Sequence, residues 1–463
     1  MDETSQPVEL LLSVTRGGSR TLGAQIEDAL RRAIRDGSLR AGARVPSTRD
    51  LARQLGVSRR IAVDAYSQLA AEGYLTLRQG ARPRVSETIV AAAEAAAASE
   101  LAEPPPRFDF RPSMPDVSAF PRAAWMRSVR EAMRTISDFD LGYGDPRGMH
   151  VLRAALVDYF GRVRGVHADG RNVVITSGYS QGLGVACHAL AARGARRIAI
   201  EHPSNLLQRA LAARAGLEPI PVAVDADGIV VDELPRCDAV VVTPAHQHPT
   251  GALLSPARRA ALMAWLRDHD AVAIEDDYDA EFRYDRPAVG ALQGLDPERV
   301  IYAGSVSKTL APALRLGWLV VPSALVDDVA AEKVLADRGT SRIDQLAFAD
   351  FLARGELDRH LRRMRERYRA RRDTLIDAVA AHLPQAEILG IAAGLHATER
   401  LDVDEDALRA EAAHRRIAFE TMRDYEAGDG TLLLGYALMP EPTIRAGIAE
   451  LAGAIRLPGS RRR

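Results

Sequence analysis

The sequence predicts an α/β protein of two parts, a small helical module followed by a large domain built on a doubly wound, mostly parallel sheet. Its 463 residues exceed what one hydrophobic core usually organises. Residues 1–86 contain 14 Arg and 9 Asp or Glu, a net charge of +5, whereas the whole chain carries −1. Residues 108–463 alternate short apolar runs with helical patterns, which is typical of a sheet covered by helices.

The composition indicates a globular cytoplasmic protein. Hydrophobic residues make up 47% of the chain and charged residues 27%, which is the balance of a folded protein. No run of eighteen apolar residues occurs, and the N-terminal stretch is acidic, so we expect neither a membrane span nor a secretory signal. Cys187 and Cys237 lie far apart without metal-ligand spacing, and we expect reduced, buried thiols.

The first part of the chain predicts helices with clear start and stop signals. Apolar residues recur at helical spacing after Thr21, and Gly37 is a suitable stop. Ser47, with Asp50 three residues later, has the pattern of a capping box. The helix that it starts ends at Gly56.

A third helix and a β-hairpin complete this module. Ser58 caps the helix and Gly73 ends it, and the preceding Gly-Val-Ser turn makes the last two helices a helix-turn-helix. Segments Tyr74–Leu77 and Arg82–Ser86 flank a Gln-Gly turn and predict a two-stranded wing. Residues 1–86 therefore predict a winged helix-turn-helix.

Arginines gather where such a module meets nucleic acid. Arg59 and Arg60 lie in the first turn of the third helix, where amide dipoles also favour phosphate or base edges. The candidate DNA-binding residues are Ser47, Thr48, Arg49, Ser58, Arg59, Arg60, Arg78 and Arg82. Solvated arginines on an ordinary helical domain are the alternative. The joint occurrence of capped helices, turn and basic wing favours double-stranded operator DNA as the partner.

Residues 87–107 predict a linker. Glu87–Ala102 is alanine-rich with scattered acids, which favours helix but buries little surface, and a triple proline follows. We expect a partly helical tether that ends in a stiff polyproline segment.

Residues 108–463 predict the large α/β domain. Its buried strands are predicted at Val173–Thr176, Ile198–Glu201, Ala239–Thr243, Ala271–Glu275 and Val300–Ala303. Continuous apolar runs of this length are typical of parallel strands covered on both faces. Ligands of such sheets gather at the carboxyl ends of the strands, and the polar motifs of this chain follow those ends.

Lys308 is the first candidate for chemistry, because the chain contains only one other lysine, Lys333, among 61 basic residues. Arginine carries charge equally well, but an imine to a carbonyl compound requires a primary amine. Ser305, Ser307 and Arg315 surround it in sequence. Hydroxyls and a guanidinium around a nucleophilic lysine suit a phosphorylated aldehyde. A leftover surface lysine is the alternative on this stretch alone.

Two further motifs follow predicted strands. The Gly178–Ser180 turn opens a helix, whose backbone amides suit a phosphate. Glu275–Asp279 holds several carboxylates. One of them facing a pyridine nitrogen would keep that nitrogen protonated. A cation site is the alternative for this acidic motif.

These motifs together resemble a known family. Residues 45–75, V-P-S-T-R-D-L-A-R-Q-L-G-V-S-R-R-I-A-V-D-A-Y-S-Q-L-A-A-E-G-Y-L, resemble a GntR-type winged helix. The large domain resembles a fold-type I aminotransferase dependent on pyridoxal 5′-phosphate (PLP). That likeness rests on Tyr143–Gly148, Thr176–Gly178, Pro244–Gly251, Glu275–Tyr278 and Ser305–Arg315. The combination is the architecture of MocR/GabR-type transcriptional regulators.

The resemblance implies a role for each residue of the site. It implies that Lys308 holds PLP as an aldimine, that Asp276 pairs with the pyridinium nitrogen and that Tyr278 donates to the ring oxygen. His248 stands where the enzymes place an asparagine that also binds this oxygen. The implied phosphate ligands are Ser305, Ser307, Arg315, Gly178, Tyr179 and Ser180. Tyr143 is expected to reach the phosphate of a neighbouring subunit, because family members form homodimers with shared sites.

Three departures from the enzymes argue against significant aminotransferase turnover. Besides His248, Asn205 replaces the aromatic residue that stacks on the ring, a place that Tyr179 would have to fill. Residues 431–436 lack the arginine that clamps a substrate carboxylate, unless Arg400 or Arg423 replaces it. The sequence thus predicts a PLP-dependent regulator that senses PLP or an amine. A working aminotransferase and a domain that only dimerises are the alternatives.

Overall fold

The computed structural model divides into two compact units, residues Met1–Pro104 and Pro105–Arg463. The residues that it describes are 14–17, 20–78, 81–86, 105–284, 289–389, 394–401, 403–428 and 430–455. The predicted linker lies outside the described residues except for 105–107. Each unit is described by itself.

The first unit contains three helices, α1 (Leu22–Arg35), α2 (Thr48–Leu55) and α3 (Arg59–Ala71). The Thr21, Ser47 and Ser58 side chains each accept a hydrogen bond from a backbone amide in the first turn of the helix that follows. Hydroxyl caps satisfy amides that have no partner within a helix. Gly56 ends α2 at φ 62°, a left-handed conformation that glycine adopts without strain. The predicted helix-turn-helix is therefore confirmed.

The wing is the antiparallel pair β1 (Leu75–Thr76) and β2 (Arg84–Val85), in the register Leu75↔Val85. The turn residues Gln79 and Gly80 lie outside the described residues. The wing packs on the helical core through Leu75 and Val85, which are buried. Tyr66 of α3 donates from its buried hydroxyl to the Pro46 carbonyl at 2.8 Å. This bond fixes α3 against the start of α2.

An eight-stranded sheet in the order β4-β11-β10-β9-β8-β5-β6-β7 organises the second unit. The strands are β4 (Val173–Thr176), β5 (Arg197–His202), β6 (Glu218–Asp225), β7 (Gly228–Ile229), β8 (Ala239–Val242), β9 (Val272–Asp277), β10 (Val300–Ser305) and β11 (Gly317–Val320). Strands β6, β5, β8, β9 and β10 run parallel, whereas β11 is antiparallel to both β10 and β4. The five predicted strands and the mostly parallel sheet are confirmed, and β6, β7 and β11 were not predicted.

Helices cover both faces of this sheet. Successive residues of a strand point to opposite faces of the sheet and so belong to different hydrophobic cores. Val241 and Ile274 pack on one face, and Val240 and Ala273 pack on the other. The helices are Arg122–Thr135, His150–Arg164, Tyr179–Ala192, Leu206–Arg214, Pro256–Asp268, Val326–Asp337, Arg342–Ala353, Glu356–His382, Glu405–His414 and Glu441–Ile455. Among the described residues, no helix has the length and apolar character needed to cross a membrane.

A smaller four-stranded antiparallel sheet, in the order β12-β13-β16-β15, lies in the C-terminal part of the unit. Its strands are β12 (Glu387–Leu389), β13 (His396–Arg400), β15 (Glu420–Thr421) and β16 (Thr431–Gly435). A separate parallel pair joins β3 (Phe108–Asp109) to β14 (Ile417–Ala418). The start of the unit is thereby attached to its C-terminal part.

Candidate functional site

A cavity of about 270 Å³ lies at the carboxyl edge of the large sheet. Polar side chains line most of it, and they follow β4, β5, β8, β9 and β10 in the chain. The lining residues are Ser113, Tyr179, Ser180, Asn205, Gln208, Thr243, His248, Asp276, Tyr278, Ser305, Ser307, Lys308, Pro312 and Arg315. A cavity at this edge is the usual ligand position in a doubly wound sheet.

Lys308 lies in this cavity, in the turn that follows β10. Burial lowers the pKa of its amine, and the nearby carboxylates of Asp279, Asp276 and Glu420 oppose that shift only in part. A lowered pKa increases the fraction of neutral amine, which is the nucleophilic form. The environment of Lys308 therefore favours reaction with a carbonyl group.

Asp276 comes from β9, beside β10, where Ala303 is its register partner. Strand alternation places it on the opposite face from Glu275 and Asp277. One carboxylate oxygen, Oδ2, accepts from Gln208 Nε2 at 3.2 Å. The other, Oδ1, is buried and has no partner among the described residues. Burial raises the pKa of Asp276 to about 8, and the Tyr179 hydroxyl opposes that shift only in part.

The acids beside Asp276 are engaged elsewhere. Asp277 forms a buried ion pair with Arg164 at 2.7 Å, and Glu275 accepts from the backbone amides of Leu292 and Gln293. Among the described residues, no group of three or more His, Cys, Asp or Glu is placed to hold a metal. The alternative of a cation site at Glu275–Asp279 gains no support.

Hydroxyls, a guanidinium and a helix N-terminus meet at one end of the cavity. Ser305, Ser307 and Ser180 line it, and the helix Tyr179–Ala192 begins at Gly178 with φ 91°. A Cβ on Gly178 would lie 3.0 Å from the Arg315 guanidinium, so only glycine allows this approach. Amides of a helix N-terminus together with a guanidinium favour an anion such as a phosphate ester.

Hydrogen bonds to other side chains fix the ring-bearing residues of the opposite wall. The Tyr278 hydroxyl lies 2.9 Å from His246 Nδ1, which is also 2.9 Å from Asp279. His248 Nε2 lies 2.9 Å from the Tyr425 hydroxyl. Burial, and then the charges of His246 and Lys308, lower the pKa of His248 to about 3.

His248 is therefore neutral. The Tyr425 hydroxyl donates its hydrogen bond to the Glu420 carboxylate. The Tyr425 oxygen then accepts from His248 Nε2, which leaves His248 Nδ1 as an acceptor. This Nδ1 is buried without a partner among the described residues. An asparagine amide at this position would offer an N–H donor instead.

The cavity contains all the predicted cofactor-binding residues except Gly178 and Tyr143. Gly178 adjoins it as the cap of the helix that begins at Tyr179. Tyr143 is 80% exposed, with the Arg338 guanidinium over its ring at 5.2 Å. Its expected contact with a neighbouring subunit stays a prediction.

Sequence reasoning did not single out Ser113, Gln208, Thr243 or Pro312 as lining residues. Thr243 could have been found, because it is the last residue of the predicted strand Ala239–Thr243. Gln208 is on a helix, one turn beyond Asn205, and reaches both Asp276 and the Tyr179 hydroxyl. No local pattern reports such contacts. Asn205 lines the cavity and caps the helix Leu206–Arg214 by accepting from Leu207 N at 3.0 Å.

Neither arginine considered as a carboxylate clamp lines the cavity. Arg400 pairs with Glu387 at 3.3 Å, and Arg423 pairs with Asp406 at 2.6 Å. In the segment that lacks the clamp, Leu433 is buried against Met422 and Tyr425.

The second candidate site is the basic surface of the winged helix. Arg49, Arg59, Arg60, Arg78 and Arg82 are exposed. The Ser47 hydroxyl lowers the pKa of Asp50, and Arg53, Arg82 and Arg49 act in the same direction. Arg82 of the wing therefore lies within electrostatic reach of the start of α2. Ser47 and Ser58 use their hydroxyls as helix caps, while Thr48 is the first residue of α2.

Comparison with known proteins identifies both units. The family model "Aminotransferase class I and II" matches residues 119–443, and "Bacterial regulatory proteins, gntR family" matches residues 22–85. The HTH-type pyridoxine biosynthesis transcriptional regulator PdxR of Corynebacterium glutamicum is 31% identical over 444 residues, which covers 94% of this chain and 96% of the relative. The probable rhizopine catabolism regulatory protein MocR of Rhizobium meliloti is also 31% identical and covers 96% of each chain.

Solved structures similar to this chain include aminotransferases. The multiple substrate aminotransferase of Thermococcus profundus matches with a TM-score of 0.70 and 24% identity, over 80% of this chain and 96% of that one. The kynurenine aminotransferase of Pyrococcus horikoshii matches with a TM-score of 0.69 and 23% identity, over 79% and 94%. At these identities the likeness establishes the fold and nothing further.

The raised pKa of Asp276 predicts a pH effect on stability in the ligand-free protein. Its folded value is about 8 against an ordinary value of 3.8. Between these values the folded protein holds a proton that the unfolded chain has released, so stability falls as pH rises through this window. The Asp276→Asn variant lacks this titration. We expect its free energy of unfolding to rise relative to wild type by up to about 1.4 kcal/mol per pH unit between about pH 5 and 7.

Denaturant unfolding of ligand-free wild type and Asp276→Asn at several pH values measures this difference. Asp328→Asn is a matched control, because Asp328 is ion-paired with Arg193 near the surface. Parallel pH profiles for wild type and Asp276→Asn would contradict the prediction.

Proposed function

Because this chain belongs to the MocR-type regulators, which join a gntR-family DNA-binding domain to an aminotransferase class I and II domain, we propose that it is a transcription factor that senses PLP or an amine. Membership of the family makes the protein an HTH-type transcriptional regulator with an aminotransferase-like domain. The cofactor, the effector and the lack of turnover are our proposal.

One observation carries it: the cavity gathers a lysine of lowered pKa, a buried carboxyl with one oxygen that has no partner among the described residues, and an anion-binding turn. These groups match the aldehyde, the ring nitrogen and the phosphate of PLP, the cofactor on which this fold depends. A domain that only dimerises would not need Asp276 Oδ1 to be buried without a partner, because such a group costs stability unless a ligand completes it.

We assign the cofactor contacts residue by residue. Lys308 would hold the aldehyde carbon, Asp276 Oδ1 would accept a hydrogen bond from the ring nitrogen, and Tyr278 and His248 would lie beside the ring oxygen. The phosphate would be held by Ser305, Ser307, Arg315, Ser180 and the amides of Gly178 and Tyr179. When bound, PLP supplies a carbonyl that exchanges between Lys308 and a free amine, with the protonated ring as electron sink.

The walls of the cavity support sensing over turnover. Orientation of a bound substrate is worth several orders of magnitude in rate, and neither Arg400 nor Arg423 is free to orient a carboxylate here. His248 offers an acceptor where the enzymes offer an amide donor, so the ring oxygen loses a stabilising contact. Exchange of Lys308 for a free amine at the carbonyl carbon of PLP would then be a reversible binding event that biases the DNA-binding state.

We propose that the regulator acts as a homodimer. Phe139, Leu141, Tyr143 and Leu335 are large hydrophobic side chains that are more than half exposed. Contiguous apolar surface of this kind usually marks an interface. Arg338 over the Tyr143 ring connects the loop of Phe139 and Leu141 to the helix that carries Leu335, so these side chains belong to one region. Tyr143 would extend from this region towards the partner's phosphate.

The DNA contacts are tested with Arg59→Ala and Arg60→Ala in gel-shift titrations on DNA from upstream of the protein's own gene. Both variants are expected to weaken binding and to reduce its salt dependence by about one unit of log–log slope each, because each loses one phosphate contact. Arg20→Ala, also exposed but outside the helix-turn-helix, is the control. Unchanged slopes would count against α3 as the reading helix.

The cofactor assignment is tested with Lys308→Ala. Wild type soaked in PLP should show a visible absorbance band that survives gel filtration, and the variant should lose it because no amine holds the aldehyde. A wild-type protein without such a band would refute the cofactor proposal. Sustained amino-group transfer to a 2-oxo acid by wild type, absent from Lys308→Ala, would establish the working aminotransferase instead.

A further inference from the structure

The chain's second lysine lies behind the anion-binding turn. Lys333, on the helix Val326–Asp337, is fully buried. Its Nζ donates to Asp337 Oδ1 at 2.5 Å and to Thr340 Oγ1 at 3.1 Å. A buried ammonium persists only where charge and hydrogen bonds compensate its lost hydration, so this group holds a defined position.

The two carboxylate oxygens of Asp337 accept hydrogen bonds from different groups, one from Lys333 and the other from Gln181 and Ser177. Oδ1 accepts from Lys333 and from Gly339 N, whereas Oδ2 accepts from Gln181 Nε2 at 2.7 Å and from Ser177 Oγ at 3.4 Å. Burial alone would raise the pKa of Asp337, but the hydrogen bonds from Gln181 and Lys333 outweigh it and lower the pKa. Asp337 is therefore a carboxylate, and both of its oxygens accept hydrogen bonds.

From Asp337 the contacts continue into the turn that binds the anion. Gln181 Oε1 accepts from Ser177 N at 2.7 Å, and the Ser177 carbonyl accepts from the Arg315 guanidinium at 2.5 Å. An uninterrupted row of hydrogen bonds therefore runs from Lys333 through Asp337, Gln181 and Ser177 to Arg315. Lys333 and Asp337 lie on the helix Val326–Asp337 and Gln181 lies on the helix Tyr179–Ala192, whereas Ser177 and Arg315 lie outside both helices.

We propose that Lys333 is a positioning residue for the phosphate group of the ligand, acting through Asp337 and Gln181 on the turn Ser177–Gly178 and on Arg315. This inference rests on the proposed function, because it concerns the same cavity. Asp337 fixes the turn but brings a negative charge close to an anion site. Lys333 neutralises that charge from the far side, and its compact ammonium fits a fully enclosed place where a planar guanidinium needs more room.

A purely structural lysine would stabilise the fold without affecting phosphate recognition. The two roles separate when PLP is compared with pyridoxal, which has the same aldehyde and ring but no phosphate. The ratio of the two affinities reports the anion-binding end of the cavity alone, whereas a general loss of stability or of Lys308 reactivity lowers both affinities together.

The experiment titrates full-length wild type, Gln181→Met, Lys333→Met and Asp328→Asn with PLP and with pyridoxal, following absorbance. Gln181→Met should reduce the PLP-to-pyridoxal affinity ratio by about tenfold, the effect of one lost hydrogen bond to a charged group. Lys333→Met should reduce it further, because Asp337 then repels the phosphate, and adding Asp337→Asn to Lys333→Met should restore part of the ratio. Asp328→Asn, on the same helix but paired with Arg193, should leave it unchanged.

Equal losses of PLP and pyridoxal affinity, or an unchanged ratio in Gln181→Met, would overturn the positioning role. Should Lys333→Met fail to fold, Gln181→Met alone decides, since its side chain lies at the partly exposed helix start. If wild type binds neither compound, the proposed function itself is contradicted. If wild type binds both compounds and the variants leave the PLP-to-pyridoxal affinity ratio unchanged, only the positioning role is contradicted.

Discussion

The parallel pairing of β9 with β10 is the constraint on which the cavity depends. Its register sets Ala303 opposite Asp276, so the two strands end side by side and deliver the Asp276 carboxyl and the Lys308 turn to one place. Burial then determines their chemistry, because it raises the pKa of the carboxyl and lowers the pKa of the amine. Opposite shifts of this kind favour the neutral form of both groups until a ligand completes them.

The anion end of the cavity depends on close backbone approach and on a second row of side chains. Gly317 of β11 packs against Gly178, and a Cβ on Gly317 would lie only 2.8 Å from the Gly178 Cα. This contact holds the turn against the sheet, and the row from Lys333 to Arg315 supports it from behind. We propose different roles for the two lysines of this arginine-rich chain, because Lys308 acts through its neutral amine and Lys333 through its compact charge.

The departures from the enzymes concern the substrate carboxylate, the face of the ring and the ring oxygen. Asn205 is used as a helix cap, Leu433 is packed in an apolar group, and His248 presents an acceptor. The groups proposed for the aldehyde, the ring nitrogen and the phosphate are retained. A site that keeps its reactive amine and loses its substrate clamp is suited to a receptor, and the gntR-family domain in the same chain supplies an output for it.

The sequence alone determined the helix-turn-helix, the five buried strands and most of the cavity, because caps, apolar runs and strand-end motifs are local signals. Ser47, Ser58 and Lys308 were found in this way, whereas Asp276 was singled out within its acidic motif only by the family resemblance. Only the tertiary structure showed the strand β11, the contacts of Gln208 and Asp337, and the hydrogen bond that sets the tautomer of His248. Each of these features depends on partners that are distant in sequence. The sequence marked Lys333 only by its rarity. Its connection to the anion site exists because folding brings the end of one helix against the start of another.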